Sequence, residues 1–262
     1  MNKSRHVRLL FLGVSMILKD KVKVFLIHLS VSVFIALICL AIIYFIWYPQ
    51  PLYKATGITK IFLLMVGIDI ILGPLLTLIV YKKGKKSLKF DLAIIILIQI
   101  SALIYGIYKV SEGRPIWIVY NVDRFDLIRV NDIENINSSN KKSKYNKLSL
   151  FGPQYVNSQI PLNDIQVRNQ VLFDELEKGI SPSQRVELYR SLETAKLKMQ
   201  EKAQALDSLK TFNEAIEVKK VIELYPQADA WLPLKANAVD MVVLINKEKG
   251  EVVKIVDLRP WK

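Results

Sequence analysis

Val24–Tyr53 reads VFLIHLSVSVFIALICLAIIYFIWYPQPLY and carries no charged side chain. An α-helix rises about 1.5 Å per residue, so roughly 20 apolar residues cross a bilayer core. The stretch rich in Leu, Ile, Val and Phe, residues 24–48, is therefore read as a first membrane span. Its length exceeds that of a signal-peptide core, and no small-x-small cleavage pattern follows it. Working outward, residues 61–81 contain one charge, Asp69, and form a second expected span. Residues 92–108 contain none and form a short third one. The apolar run Leu9–Leu18 is too short to cross; with its basic neighbours, residues 1–23 read as an amphipathic segment on the membrane surface.

Charge agrees with this division. The 262 residues carry 37 Lys+Arg and 24 Asp+Glu, a net +13 that by itself would suggest a nucleic-acid binder. Residues 1–110 hold 14 of the basic residues and 3 acids, Asp20, Asp69 and Asp91. Residues 111–262 hold the other 23 and 21, which nearly cancel. The excess lies where the apolar runs are, so it reads as topology signal, and no nucleic-acid partner is expected. Six Lys/Arg precede the first span, two (Lys54, Lys60) follow it, and five (Lys82, Lys83, Lys85, Lys86, Lys89) follow the second. The positive-inside rule then puts the N-terminus and second loop in the cytoplasm. The first loop and everything after the third span lie across the membrane, which in a bacterial cell is the periplasm. Lysines 82–89 would also touch anionic lipid head groups. Trp47, Tyr48 and Trp117 suit an interfacial aromatic belt.

Residues 111–262 read as an α+β domain large enough for its own core. Residues 116–122 and 125–130 look like strands separated by Asp123-Arg124, and 240–246 with 251–257 look like a hairpin. Residues 131–147, rich in Asn and Lys, read as a mobile loop. Asn163–Lys178 looks helical, with Gly179 as its stop, and Ser181-Pro182 restarts a helix. Leu188, Leu192, Ala195, Met199, Ala203, Leu206 and Leu209 fall at three- and four-residue spacing, the stripe of one long helix packed on the sheet. The expected architecture is three transmembrane helices followed by a periplasmic domain, a small antiparallel sheet with packed helices.

Few residues suggest chemistry. Cys39 is the single cysteine, so no internal disulfide forms, and it reads as a buried hydrophobe. His6 and His28 are the only histidines and lack ligand-spaced neighbours, so no metal, cofactor or catalytic residue is expected. Asp69 stands out. An ionised group at mid-span costs on the order of 3 kcal/mol unless paired. It is either a structural carboxyl bonded to Gln99 or Ser101, or a contact for a partner inside the membrane. Gly73-Pro74, four residues on, can kink the second span. Asp123 and Arg124 are either an internal ion pair or turn, or part of a partner surface.

Several motifs in order carry a resemblance. They are Trp47-Tyr-Pro-x-Pro51, Asp69-Ile-Ile-Leu-Gly-Pro-Leu-Leu-Thr77, Lys86-Ser-Leu-Lys-Phe-Asp91, Gln99-Ile-Ser-Ala-Leu-Ile-Tyr-Gly106, Arg114-Pro115, Val122-Asp-Arg-Phe125, Gly250-Glu-Val-Val and Asp257-Leu-Arg-Pro-Trp261. Together they resemble the type IV pilin accessory proteins, the TfpX/TfpZ group, over nearly the whole chain except 131–147. The resemblance implies an inner-membrane, non-catalytic factor that helps a cognate type IV pilin assemble into pili. Physically, Gly67, Gly73 and Gly106 would let the spans hold a pilin helix closely and Asp69 would pair with a cationic or polar group of it, with Gly73, Pro74, Gln99 and Gly106 as pilin contacts or intramembrane structure. No small-molecule substrate is implied. Two alternatives stay open: a membrane-anchored enzyme acting on pilin or a glycolipid, which requires a clustered polar pocket, and a periplasmic sensor, which requires a cytoplasmic output module.

Overall fold

The computed structural model describes residues 3–133 and 144–262, with side chains described from Leu18 onward. Most of the expected 131–147 loop therefore lies outside the described residues. The chain divides into two units, one of Met1–Ile42 with Thr59–Val110, the other of Ile43–Ile58 with Ser111–Lys262.

The first unit is helical. Helix α1, Lys3–Ala41, continues through a π-helical turn, Ile42–Trp47. After the short helix α2 (Leu52–Thr56) of the other unit, α3 covers Ile58–Gly67. A π-turn, Ile68–Leu72, joins it to α4, Gly73–Val80, and α5 covers Leu88–Glu112. Three helical stretches, Leu18–Trp47, Ile58–Val80 and Leu88–Glu112, are long and apolar enough to cross a membrane. Leu63, Leu64, Leu97 and Ile98 are exposed on them, as side chains solvated by lipid would be. Lysines of the 82–89 run are tied down: Lys83 pairs with Asp20 at 2.8 Å and Lys85 with Asp91 at 2.6 Å.

The second unit is built on an eight-stranded sheet. Its strands are β1 Pro115–Asn121, β2 Arg124–Arg129, β3 Gln154–Ser158, β4 Tyr189–Ser191, β5 Gln204–Ala205, β6 Ala230–Lys235, β7 Met241–Asn246 and β8 Glu251–Val256. The order is β4-β3-β1-β2-β6-β7-β8, with β5 also on β6. The sheet is mixed and larger than the small antiparallel one the sequence suggested. The β1–β3 and β2–β6 pairs are parallel, because β3 and β6 return only after long connections. The β1–β2 and β7–β8 hairpins lie where the sequence placed strands. Met241, Val243 and Ile245 of β7 face one apolar core, while Val242 and Leu244 face another. Burial on both faces explains why this segment runs apolar without alternating.

Helix α6, Ile165–Lys178, is capped by the Asp164 carboxylate and stopped by Gly179 in the left-handed region. The single long helix expected over 188–209 does not form. Its residues are divided among β4, 3-10 turns at 192–195 and 206–211, a two-turn helix α7 (Lys196–Lys202), and β5. Tyr189–Ser191 pairs with β3 and Gln204–Ala205 with β6, so sheet-edge hydrogen bonds replace helical ones at both ends. Leu188, Ala195, Met199 and Leu209 are still buried; three- and four-residue spacing serves short turns as well as one helix. The helix restart at Ser181-Pro182 is a single 3-10 turn, Pro182–Gln184. Helix α8, Ala215–Leu224, covers the second core through Val218.

Helix α2 docks on the sheet. Leu52 and Ala55 are buried in the larger core beside Ile118, Phe125 and Leu232. The Ala55 carbonyl accepts from Ala238 N at 2.9 Å and Val239 N at 3.3 Å, and Lys54 pairs with Asp257 at 2.5 Å. Burial pushes the Asp257 carboxyl up, but hydrogen bonds from Lys54 and Arg259 outweigh it and hold it below the usual range. Gly57 closes α2 at φ 72°, and a Cβ there would sit 2.9 Å from Ala238 Cβ. Gly57→Ala combines left-handed strain with this collision. It should cost about 1–2 kcal/mol, read as a lower unfolding midpoint in detergent.

The buried Asp174 carboxylate of α6 accepts from Lys178 (2.9 Å), Gln170 (3.0 Å) and Arg185 (2.6 Å). These partners pull its pKa down to about 2. Folded-state pKa lies below the unfolded value of about 3.9, so its contribution is full above pH ~4 and fades as pH falls toward ~2. In Asp174→Asn, that part of the acid-side loss of stability should vanish from a pH series of unfolding midpoints.

Candidate intramembrane site

Of the three acids in the first 110 residues, Asp20 and Asp91 are paired with loop lysines. Asp69 is not. It sits in the π-turn Ile68–Leu72, and π-turns within α-helices recur at functional sites. Both its carboxylate oxygens are shielded, and neither meets a hydrogen-bond partner among the described residues.

The nearest polar groups are committed elsewhere. Ser101 Oγ donates to its own helix, to Leu97 O at 2.8 Å. Gln99 Nε2 donates at 3.1 Å to the backbone carbonyl of Asp69, not to its carboxyl. The cause is local. Pro74 has no N–H to return to the preceding turn, so a carbonyl there needs an outside donor in a medium without water. Gln99 supplies it by lying flat on Gly73, where any Cβ would overlap the Gln99 carboxamide. Gly106 plays the same part further along, with Met65 filling the space its missing side chain leaves. Gly73, Pro74, Gln99 and Asp69 thus form one arrangement, and Gly106 belongs to the same helix packing. Asp69 bonded through its carboxyl to Gln99 or Ser101 is not what the structure contains.

Asp69 lines a cleft of about 360 Å³ between the three long helices. Its walls are mostly aliphatic, with His28, Ser32, Thr77 and Gln99 among the polar members. His28 Nδ1 and Thr77 Oγ1 share a 2.6 Å hydrogen bond that ties α1 to α4. Ile27, Val31, Ile96 and Ile100 line the cleft while remaining exposed, so it opens outward between helices. An apolar cleft with one uncommitted carboxyl can take an apolar helix bearing a polar or cationic group.

Asp123 and Arg124 lie elsewhere, in the second unit. They do not pair with each other. Asp123 is exposed in the β1–β2 turn beside Val122, whose φ is 60°, and Arg124 Nε meets Asp126 at 3.1 Å. Arg124 also lines a polar cleft of about 320 Å³ with Asp132, Glu175, Ser183, Gln184 and Lys235. Sequence reading missed this cluster because its members come from distant segments. Several of its groups are satisfied internally: Gln184 Nε2 donates to Asp132 O, and Ser181 and Ser183 bond each other. Tyr48 and Trp117, expected at the membrane interface, are buried instead. Trp117 packs edge-on against Tyr145 and Tyr189, because its strand is covered on that face.

Comparison with known proteins identifies relatives of part of this chain. A family model described as fimbrial assembly protein FimB matches residues 17–57, which include most of the first long helix and α2. The chain is 39% identical over 109 residues to the fimbrial assembly protein of serogroups C1 and C2 of Dichelobacter nodosus, covering 41% of this chain and 83% of that protein. It belongs to the fimbrial assembly protein family. It is also 40% identical over 109 residues to the serogroup I and serogroup E1 fimbrial assembly proteins of the same organism, but spans only 42% of their length. No solved structure matches this family member significantly.

The Gly73–Gln99 contact can be tested directly. Gly73→Ala should displace the Gln99 carboxamide from the Asp69 carbonyl and cost about 1–3 kcal/mol. Gln99→Ala removes the obstruction, so the double variant should be less destabilised than the sum of the two. The coupling, roughly 0.5–3 kcal/mol, is read from unfolding curves of the four proteins in detergent.

Proposed function

We propose that this protein is a non-catalytic membrane factor that assists assembly of a cognate type IV pilin, as the TfpX/TfpZ-like motifs imply. The observation that carries the reading is the uncommitted Asp69 carboxyl in an outward-opening cleft among three long apolar helices. Membership of the fimbrial assembly family supports it.

The mechanism follows from the solvent. An unassembled pilin subunit waits with an apolar helix in the inner membrane and a head in the periplasm. The cleft takes that helix, and Gly73 and Gly106 keep the host helices close. Asp69 gains the polar or cationic partner it lacks, and the cost of holding it in hydrocarbon is offset only when the helix is present. The N-terminus and the loop at 82–89 face the cytoplasm, and the sheet domain faces the periplasm, where it reads the pilin head. The exposed turn at Asp123 and Arg124 is offered to that head.

Asp69→Ala and Asp69→Asn test the central contact. Both should lower pilin co-purification and surface piliation by roughly tenfold or more, since a partly desolvated polar contact is worth on the order of 1.4 kcal/mol or more. The amount of this protein in the membrane should hold steady. Unchanged co-purification in both variants would remove Asp69 from the mechanism.

A further inference from the structure

The second unit has an apolar surface that the pilin reading does not use. Leu150 and Phe151 occupy a turn before β3 and are 61% and 81% exposed, respectively. The turn is shaped locally, with Phe151 N donating to Ser149 Oγ at 3.1 Å and Gly152 at φ 67°. It lies against the last turn of the first long helix, where a Cβ on Gly152 would stand 3.4 Å from the Ile46 carbonyl. Beside it, Phe45 of that helix is 80% exposed. Phe45, Ile46, Pro49, Phe151, Tyr155 and Lys254 line one groove of about 420 Å³.

We propose that the turn 149–153 dips into the bilayer surface, so that the sheet domain holds the membrane by a contact separate from its tethering helices. Continuity decides the occupant. Phe45 and Ile46 belong to Leu18–Trp47, a helix long and apolar enough to need lipid around it. Phe151 lines the same groove as Phe45 and Ile46, and Leu150 is exposed next to it in the turn. Large exposed apolar side chains next to a membrane-crossing helix are solvated by acyl chains, as in interfacial anchors. Lys254 at the groove's edge suits a lipid phosphate. The buried Tyr48 and Trp117 cannot fill this interfacial role, whereas Leu150 and Phe151 can. The inference requires only that Leu18–Trp47 crosses the membrane and is independent of the pilin reading.

The test uses the full chain in lipid nanodiscs. Cys39→Ala removes the single cysteine, and Leu150→Cys then carries an environment-sensitive NBD label. The expected result is blue-shifted emission, quenched severalfold by nitroxide on lipid chains and little by aqueous iodide. The same label at Leu197→Cys, on exposed α7, should behave oppositely. Quenching of the position-150 label by iodide alone, or by neither agent, would overturn the proposal, the second by showing protein as the occupant. If the Cys39→Ala background does not fold, a photo-crosslinking benzoylphenylalanine at Phe151 in the otherwise unchanged chain gives the same decision. A lipid adduct supports the proposal, and a protein adduct or none overturns it.

Discussion

The hydrogen bond from Gln99 to the Asp69 carbonyl governs the membrane unit. Pro74 withdraws a donor from the helix, and hydrocarbon offers no water to replace it. The amide of Gln99 makes up the loss, and the glycine at 73 lets it come close enough. That commitment leaves the carboxyl of Asp69 without a hydrogen-bond partner among the described residues.

The same economy of polar groups runs through the second unit. Asp174 gathers Lys178, Gln170 and Arg185, and Asp257 gathers Lys54 and Arg259. Asp69 differs from both, since its carboxylate oxygens meet no hydrogen-bond partner among the described residues. The C-terminal motif Asp257-Leu-Arg-Pro-Trp261 is structural. Arg259 bonds Asp257 and the Asp240 carbonyl, its backbone N–H donates to Asn213, and Trp261 donates to Asp240. These contacts close the end of the chain over β7. Likeness to a family in this motif is therefore explained by folding.

Helix α2 has the most consequence for organisation. Five residues between two long apolar helices bury Leu52 and Ala55 in the core of a sheet whose first strand begins at Pro115. Within this unit α2 is held to the sheet by side-chain packing, two backbone hydrogen bonds and an ion pair. The matched family region, residues 17–57, ends at the glycine that closes this helix.

The three long apolar helices could be read from the chain alone because length and apolarity are properties of consecutive residues. Asp69 could be singled out for the same reason, as one charge in a run where charge is costly. The two hairpins were also visible, since each joins neighbouring segments. What sequence could not show was everything depending on distant partners. The parallel pairings of β3 and β6, the division of 188–209 into sheet edges and short turns, and the burial of Trp117 and Tyr48 all follow from which segments meet. So does the chemistry of Asp69. Its position in the chain marked it as costly, but only the packing of Gln99 on Gly73 decided that its carboxyl would stay free, because a side chain's hydrogen bonds are set by what folding brings within 3 Å of it.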